Sequence, residues 1–122
     1  MRNFPTYRQT EAKDCGPTCV KIISKHYGKV INTQQLRDLS ETTREGSSLL
    51  GLSDAVESME FKSLGVKLSY EKLLEAPLPC IVHWNKNHYV VLYKIKKNTI
   101  YISDPAHGLI TFTKKEFIKL AL

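Results

Sequence analysis

The chain has 122 residues, 42% of them hydrophobic and 25% charged, with a formal net charge of +6. That length allows one core without disulfide staples, and the composition excludes an intrinsically disordered chain. Three cysteines cannot all pair internally, which favours a reducing compartment; no apolar run of about 18 residues is present, and the start carries no signal-peptide pattern. Residues 1–122 are therefore expected to form a single cytosolic domain, neither exported nor inserted. The basic residues are scattered and no nucleic-acid motif accompanies them, so nucleic acid is not an expected partner.

The first element predicted is an amphipathic helix from Gly16 to Tyr27. Cys19, Val20, Ile22, Ile23 and Tyr27 recur at helical spacing, Pro17 suits the first turn and Gly28 the stop, which leaves Cys15 at the helix mouth. Asn32 or Thr33 caps a short second helix over Gln34 to Leu39, ending by Glu41. Ser47 or Ser48 caps a third, striped with Leu49, Leu52, Ala55, Val56 and Met59; it is expected to be the longest and to close at Gly65. Val66, Leu68 and Tyr70 alternate with polar residues as in a short strand, and Glu71 to Leu74 make a helical turn stopped by Pro77 and Pro79.

The rest reads as sheet. Cys80 to Trp84, Tyr89 to Ile95 and Thr99 to Ser103 are β-branched and aromatic runs, with Lys96, Lys97 and Asn98 as a hairpin loop. After the turn from Asp104 to Gly108, Leu109 to Phe112 adds a strand, and Thr113 caps a last helix over Lys114 to Ala121. Helices first and antiparallel strands second predict an α+β domain of two layers, N-terminal helices on a C-terminal sheet.

A thiol protease needs a nucleophile, a base, a group that orients the base, and donors for the oxyanion. A thiolate at a helix start is stabilised there, which makes Cys15 the candidate nucleophile. Pairing outward from the hairpin loop brings His88 within about one to three residues of opposition to Asp104. An Asp accepting from one ring nitrogen favours the imidazolium and leaves the other nitrogen for the sulfur. Gln9, six residues before Cys15, supplies a side-chain amide for the oxyanion beside the backbone N–H of Cys15. Gly16 permits close approach of a substrate backbone. Taken singly, a cysteine at a helix start or a histidine on a strand is usually structural; the four together favour catalysis.

The chain resembles the N-terminal peptidase domains of bacteriocin-exporting ABC transporters, the double-glycine leader peptidases with a papain-like fold. The resemblance covers nearly the whole chain. It rests on Gln9, on Asp14-Cys15-Gly16-Pro17-Thr18-Cys19, on His88-Tyr89-Val90-Val91-Leu92-Tyr93 and on Asp104-Pro105-Ala106-His107-Gly108. It implies Cys15 as nucleophile, His88 as base, Asp104 as its orienter and Gln9 as oxyanion donor. The implied substrate is a precursor whose leader ends in Gly-Gly or Gly-Ala, bound partly as an amphipathic helix and cleaved after the second small residue. A cleft that accepts only small residues must be narrow, and Trp84 and Tyr89 are candidate walls, with core packing the plainer role for both. Further implied partners are the membrane-spanning and nucleotide-binding domains of a transporter, which would place this domain at the cytoplasmic face of the membrane. No phosphate-binding loop is present here, so ATP binding would belong to those other domains. No cofactor or metal is expected, and a monomer is the default for the isolated domain.

Three other readings compete. Cys15 and Cys19 are separated by three residues, not the two of a redox Cys-x-x-Cys, and no βαβ order follows. Cys15, Cys19, His83 and His88 have no familiar zinc spacing. A leader-binding domain that does not cut is the remaining alternative, disfavoured by the presence of Cys15 with its partners. Cys19 and Cys80 are read as small core hydrophobes, and His26, His83 and His107 as helix-end, strand and turn residues.

Overall fold

Every described helix after the first begins where a side chain satisfies backbone N–H groups that the helix itself leaves open. The computed structural model describes residues 4–40, 42–43, 46–61, 63, 69–84 and 88–121. A short 3-10 turn, Ala12–Asp14, runs directly into α1, Cys15–His26. The Asn32 side chain accepts from the Gln35 N–H at the start of α2, Thr33–Leu39, and the Ser48 hydroxyl accepts from the Gly51 N–H at the start of α3, Leu49–Ser58. Ser69 caps α4, Tyr70–Leu73. Thr113 and Glu116 cap each other's N–H groups ahead of α5, Lys114–Ala121.

Four antiparallel strands form one sheet in the order β1, Cys80–Trp84; β2, His88–Lys96; β3, Thr99–Asp104; β4, Gly108–Thr113. The β2–β3 turn is tighter than expected: Lys96 pairs with Thr99, and Lys97 takes a φ of 57° in the turn. Val91 lies opposite Ser103 and Leu92 opposite Ile102, with an irregularity before Lys94. That register carries His88, the first residue of β2, to the end of the sheet where β3 closes on Asp104.

Alternation along β2 sends its side chains to two cores. Tyr89 and Val91 join Cys15, Cys19, Val20, Ile22, Leu36 and Leu52 under the N-terminal helices, while Val90 and Leu92 join Tyr70, Trp84, Ile100, Ile102 and Phe117 on the opposite face. α5 packs against β1, β3 and β4. The class is α+β as expected, but the sheet is covered on both faces, so the two-layer expectation is corrected. The striping of the last helix around Phe117, fully buried, is what closes the second face.

Two further expectations change. α3 stops at Ser58, shorter than the 12-residue α1, because Glu60 turns to a φ of 69° and Phe61 N–H returns to the Val56 carbonyl. Tyr70 is the first residue of α4 and not the end of a strand, since Ser69 caps the helix just before it. Gly65, Val66 and Leu68 lie outside the described residues, as does Glu41.

Candidate active site

Three chain segments meet at one end of the sheet. Cys15 is the first residue of α1, buried against Tyr89 and Val91 at 5% exposure. Its sulfur shares a hydrogen bond with the His88 ring and accepts from the backbone N–H groups of Tyr89 and Gly16. His88 engages Asp104 Oδ1 through Nε2 at 2.7 Å, which leaves Nδ1 for the sulfur. Asp104, the last residue of β3, is buried; its Oδ1 also accepts from the Ala106 N–H at 2.8 Å, and its Oδ2 faces His107 Nδ1 at 3.1 Å.

The electrostatics follow from these contacts. Burial, the largest influence on Cys15, pushes its thiol up; the hydrogen bond with His88, the Tyr89 N–H, the His88 charge and the Gly16 N–H together outweigh it and bring the pKa below the ordinary value. The hydrogen bond to Asp104, followed by that to Cys15, raises His88 to about 9 against the opposing effect of burial. Burial would likewise raise Asp104, but bonds from His88, Ala106 and His107 hold it at about 2. All three shifts favour a thiolate beside an imidazolium beside a carboxylate, the charge state in which a cysteine attacks a carbonyl.

Gln9 reaches the same place by a separate route. Its backbone N–H donates to the Pro105 carbonyl at 2.9 Å, tying the N-terminal segment to the turn after Asp104. Its side-chain Nε2 donates to the Glu11 carbonyl at 3.1 Å and weakly to Ala12 at 3.5 Å, while Oε1 is buried without a hydrogen-bond partner. The second amide proton is held so loosely that a better acceptor would capture it.

A cavity of about 510 Å3 opens here, lined by Gln9, Ala12, Trp84, His88, Asp104 and His107, with Ala106, Ile110 and Phe112 completing it. Trp84 both lines the cavity and packs edge-on against Phe112. Tyr89 does not line it: the ring stacks on His83 and its hydroxyl donates to the Ser47 carbonyl at 3.3 Å. Gly16 is buried, and a Cβ there would meet Leu52 Cδ2 at 2.9 Å and Ser47 Cβ at 3.2 Å, so its small size serves the approach of α1 to α3.

Cys19 is fully buried and its thiol is raised well above its ordinary value by burial, and burial lifts Cys80 to about 11; both are poor nucleophiles. Among the described residues no group of three or more His, Cys, Asp or Glu is placed to hold a metal ion. His107 sits in the turn, as read from sequence, and from there also contacts Asp104; an i,i+3 spacing across a Pro-containing turn was the signal for that contact. The sequence reading also passed over Asp14 and Arg37, which pair across 23 positions with no local pattern to announce them.

A buried thiol bonded to an imidazole, itself bonded to a carboxylate, on helices packed against an antiparallel sheet, defines a papain-like cysteine peptidase. The chain matches the Peptidase C39 family over residues 3–120 and belongs to it. It is similar to the lactococcin-G-processing and transport ATP-binding protein LagD of Lactococcus lactis subsp. lactis, at 43% identity over 93% of this chain and 17% of that protein. It is 32% identical to the colicin V secretion/processing ATP-binding protein CvaB of Escherichia coli, over 95% of this chain and 17% of that protein. The chain thus spans about one-sixth of the length of these relatives. Among solved structures, a double glycine motif protease from an AMS/PCAT transporter in complex with the leader peptide superposes with a TM-score of 0.92 at 33% identity, over 96% of this chain and 84% of that one. The peptidase domain of Streptococcus ComA, a bi-functional ABC transporter, superposes with a TM-score of 0.91 at 28% identity, over 98% of this chain and 93% of that one.

Proposed function

We propose that this peptidase removes the leader of a secreted bacteriocin-type precursor by cutting after a double-glycine-type motif. The observation that carries the reading is the hydrogen-bonded series Cys15, His88, Asp104 beside a cavity that Gln9 also lines. The Cys15 thiolate attacks the carbonyl carbon of the second small residue, and the oxyanion that forms takes hydrogen bonds from the Gln9 amide and the Cys15 N–H. His88 passes its Nδ1 proton to the leaving amine, the C–N bond breaks, and a thioester remains on Cys15. Water then attacks the thioester, giving its proton to His88, and the leader departs with a free carboxylate. Asp104 keeps the ring oriented throughout and favours its charged form whenever Nδ1 carries the proton.

The relatives carry this domain on longer transport and ATP-binding proteins, which supports a place for residues 1–122 as one domain of such a transporter. Among the described residues no helix is long and apolar enough to cross a membrane. A position at the cytoplasmic face, with membrane-spanning and nucleotide-binding domains as neighbours and a monomeric peptidase unit, accords with both facts. Incubation with a panel of double-glycine leader peptides, with the cut mapped by mass spectrometry, tests the proposal. Cleavage after the second small residue, lost in Cys15→Ala while peptide binding persists, is expected. Binding without cleavage by the unaltered protein would convert the reading to that of a leader-binding domain.

A further inference from the structure

Just before the nucleophile lies a carboxylate with no part in the proton transfers. Asp14 is fully buried, yet its two oxygens take four donors. Arg37 of α2 grips both, Nε to Oδ1 at 2.8 Å and Nη2 to Oδ2 at 2.6 Å; the Thr10 hydroxyl donates to Oδ2 at 2.9 Å and the Glu11 N–H at 3.2 Å. Thr10 and Glu11 directly follow Gln9, whose amide rests on the Glu11 carbonyl, and Asp14 directly precedes Cys15. One ion pair therefore spans the whole segment from one oxyanion donor to the other. α2 is a firm anchor for it, because Leu36, next to Arg37, is fully buried in the core beneath α1.

We infer that Arg37, acting through Asp14, is a positioning residue for the oxyanion donors: it holds the Gln9 amide at a fixed distance from the Cys15 sulfur. A bidentate guanidinium–carboxylate pair fixes direction as well as distance, which a single ammonium contact does not. The sulfur itself is governed by other groups, since His88, Tyr89 and Gly16 bring its pKa down and Asp14 is not among the causes. Loosening the clamp should therefore slow acyl transfer while leaving the thiolate intact. A donor displaced by about 1 Å costs on the order of 10²-fold in rate.

The inference rests on the peptidase reading, and the test separates the two. Arg37→Lys keeps the charge but not the fork; the double variant Asp14→Ala/Arg37→Ala removes both charges and so leaves no buried ion unpaired. Each is compared with the unaltered protein for kcat and KM on a leader peptide that it cleaves, and for the rate of iodoacetamide alkylation of Cys15. A third measurement is affinity for a glycyl-glycine aldehyde, whose hemithioacetal oxygen occupies the oxyanion position. The expected result is a kcat lower by about 10- to 100-fold, weaker aldehyde binding, an unchanged KM and unchanged alkylation. Normal kcat and aldehyde affinity in both variants would overturn the inference. A parallel fall in alkylation would overturn it too, because the pair would then support the nucleophile and not the oxyanion site. If the unaltered protein cuts no leader peptide, the substrate reading fails, and the contrast between aldehyde and alkylation still decides the clamp.

Discussion

Replacing Asp104 by Asn keeps the shape of the site and removes the charge that holds the His88 imidazolium. His88 stands at about 9 instead of its ordinary 6.5, chiefly through the hydrogen bond to Asp104, a preference for the charged ring of roughly 3 kcal/mol. If the variant ring falls to 6.5, the charged fraction at pH 8 drops from nine-tenths to about 3%, so kcat/KM on the leader peptide should fall by about 30-fold there from protonation alone. At pH 6 the ring is mostly charged in both proteins, and any remaining loss reports the orientation that the amide fails to provide. The residual bond to Cys15 makes 30-fold the upper limit for the protonation part. Stability should follow the same logic. The ionised Asp104 contributes fully above its ordinary 3.8 and loses its contribution as pH falls through about 2; the charged His88 contributes fully below 6.5 and loses its contribution as pH rises through about 9. The stability gap between protein and variant, read from urea midpoints, is therefore widest between about pH 4 and 6.5. An Asn variant whose activity loss is the same at pH 6 and pH 8, with the alkaline limb still near 9, would refute the assignment of that limb to the His88–Asp104 pair.

The unaltered enzyme should show a bell-shaped kcat/KM profile, rising on an acid limb below the ordinary thiol value and falling on an alkaline limb near 9; a single rise near 8.5 would argue for a lone thiol. Gln9→Ala should lower kcat by about 10²- to 10³-fold with little change in KM, while iodoacetamide still labels Cys15 at the normal rate. Gly51→Ala should destabilise the fold by about 3 kcal/mol in urea unfolding, because a Cβ there collides with the backbone carbonyl of Ser40, which has no rotamer by which to retreat. Gly16→Ala meets the movable end of Leu52 and should cost less, about 1 kcal/mol in the same assay.

The helix starts at Cys15, Asn32, Ser48 and Thr113, the strand runs and the family were all legible in the chain, because caps, periodicity and turn chemistry are local properties of neighbouring residues. The approach of His88 to Asp104 was legible too, since a short hairpin constrains register within a residue or two. What local pattern does not contain is contact between distant segments. Tyr89, a candidate cleft wall, turns into the core with Val91 because strand alternation alone cannot say which face meets the cavity. Gly16 faces Leu52 and Ser47, a close approach that only the packing of α1 on α3 decides. The second covered face of the sheet, the attachment of Gln9 to the Pro105 carbonyl and the grip of Arg37 on Asp14 likewise exist only once helices and sheet have docked. By itself the sequence determined which groups could react; the tertiary structure decided what holds them at reacting distance, because hydrogen bonds across tens of residues depend on packing that no short window of sequence encodes.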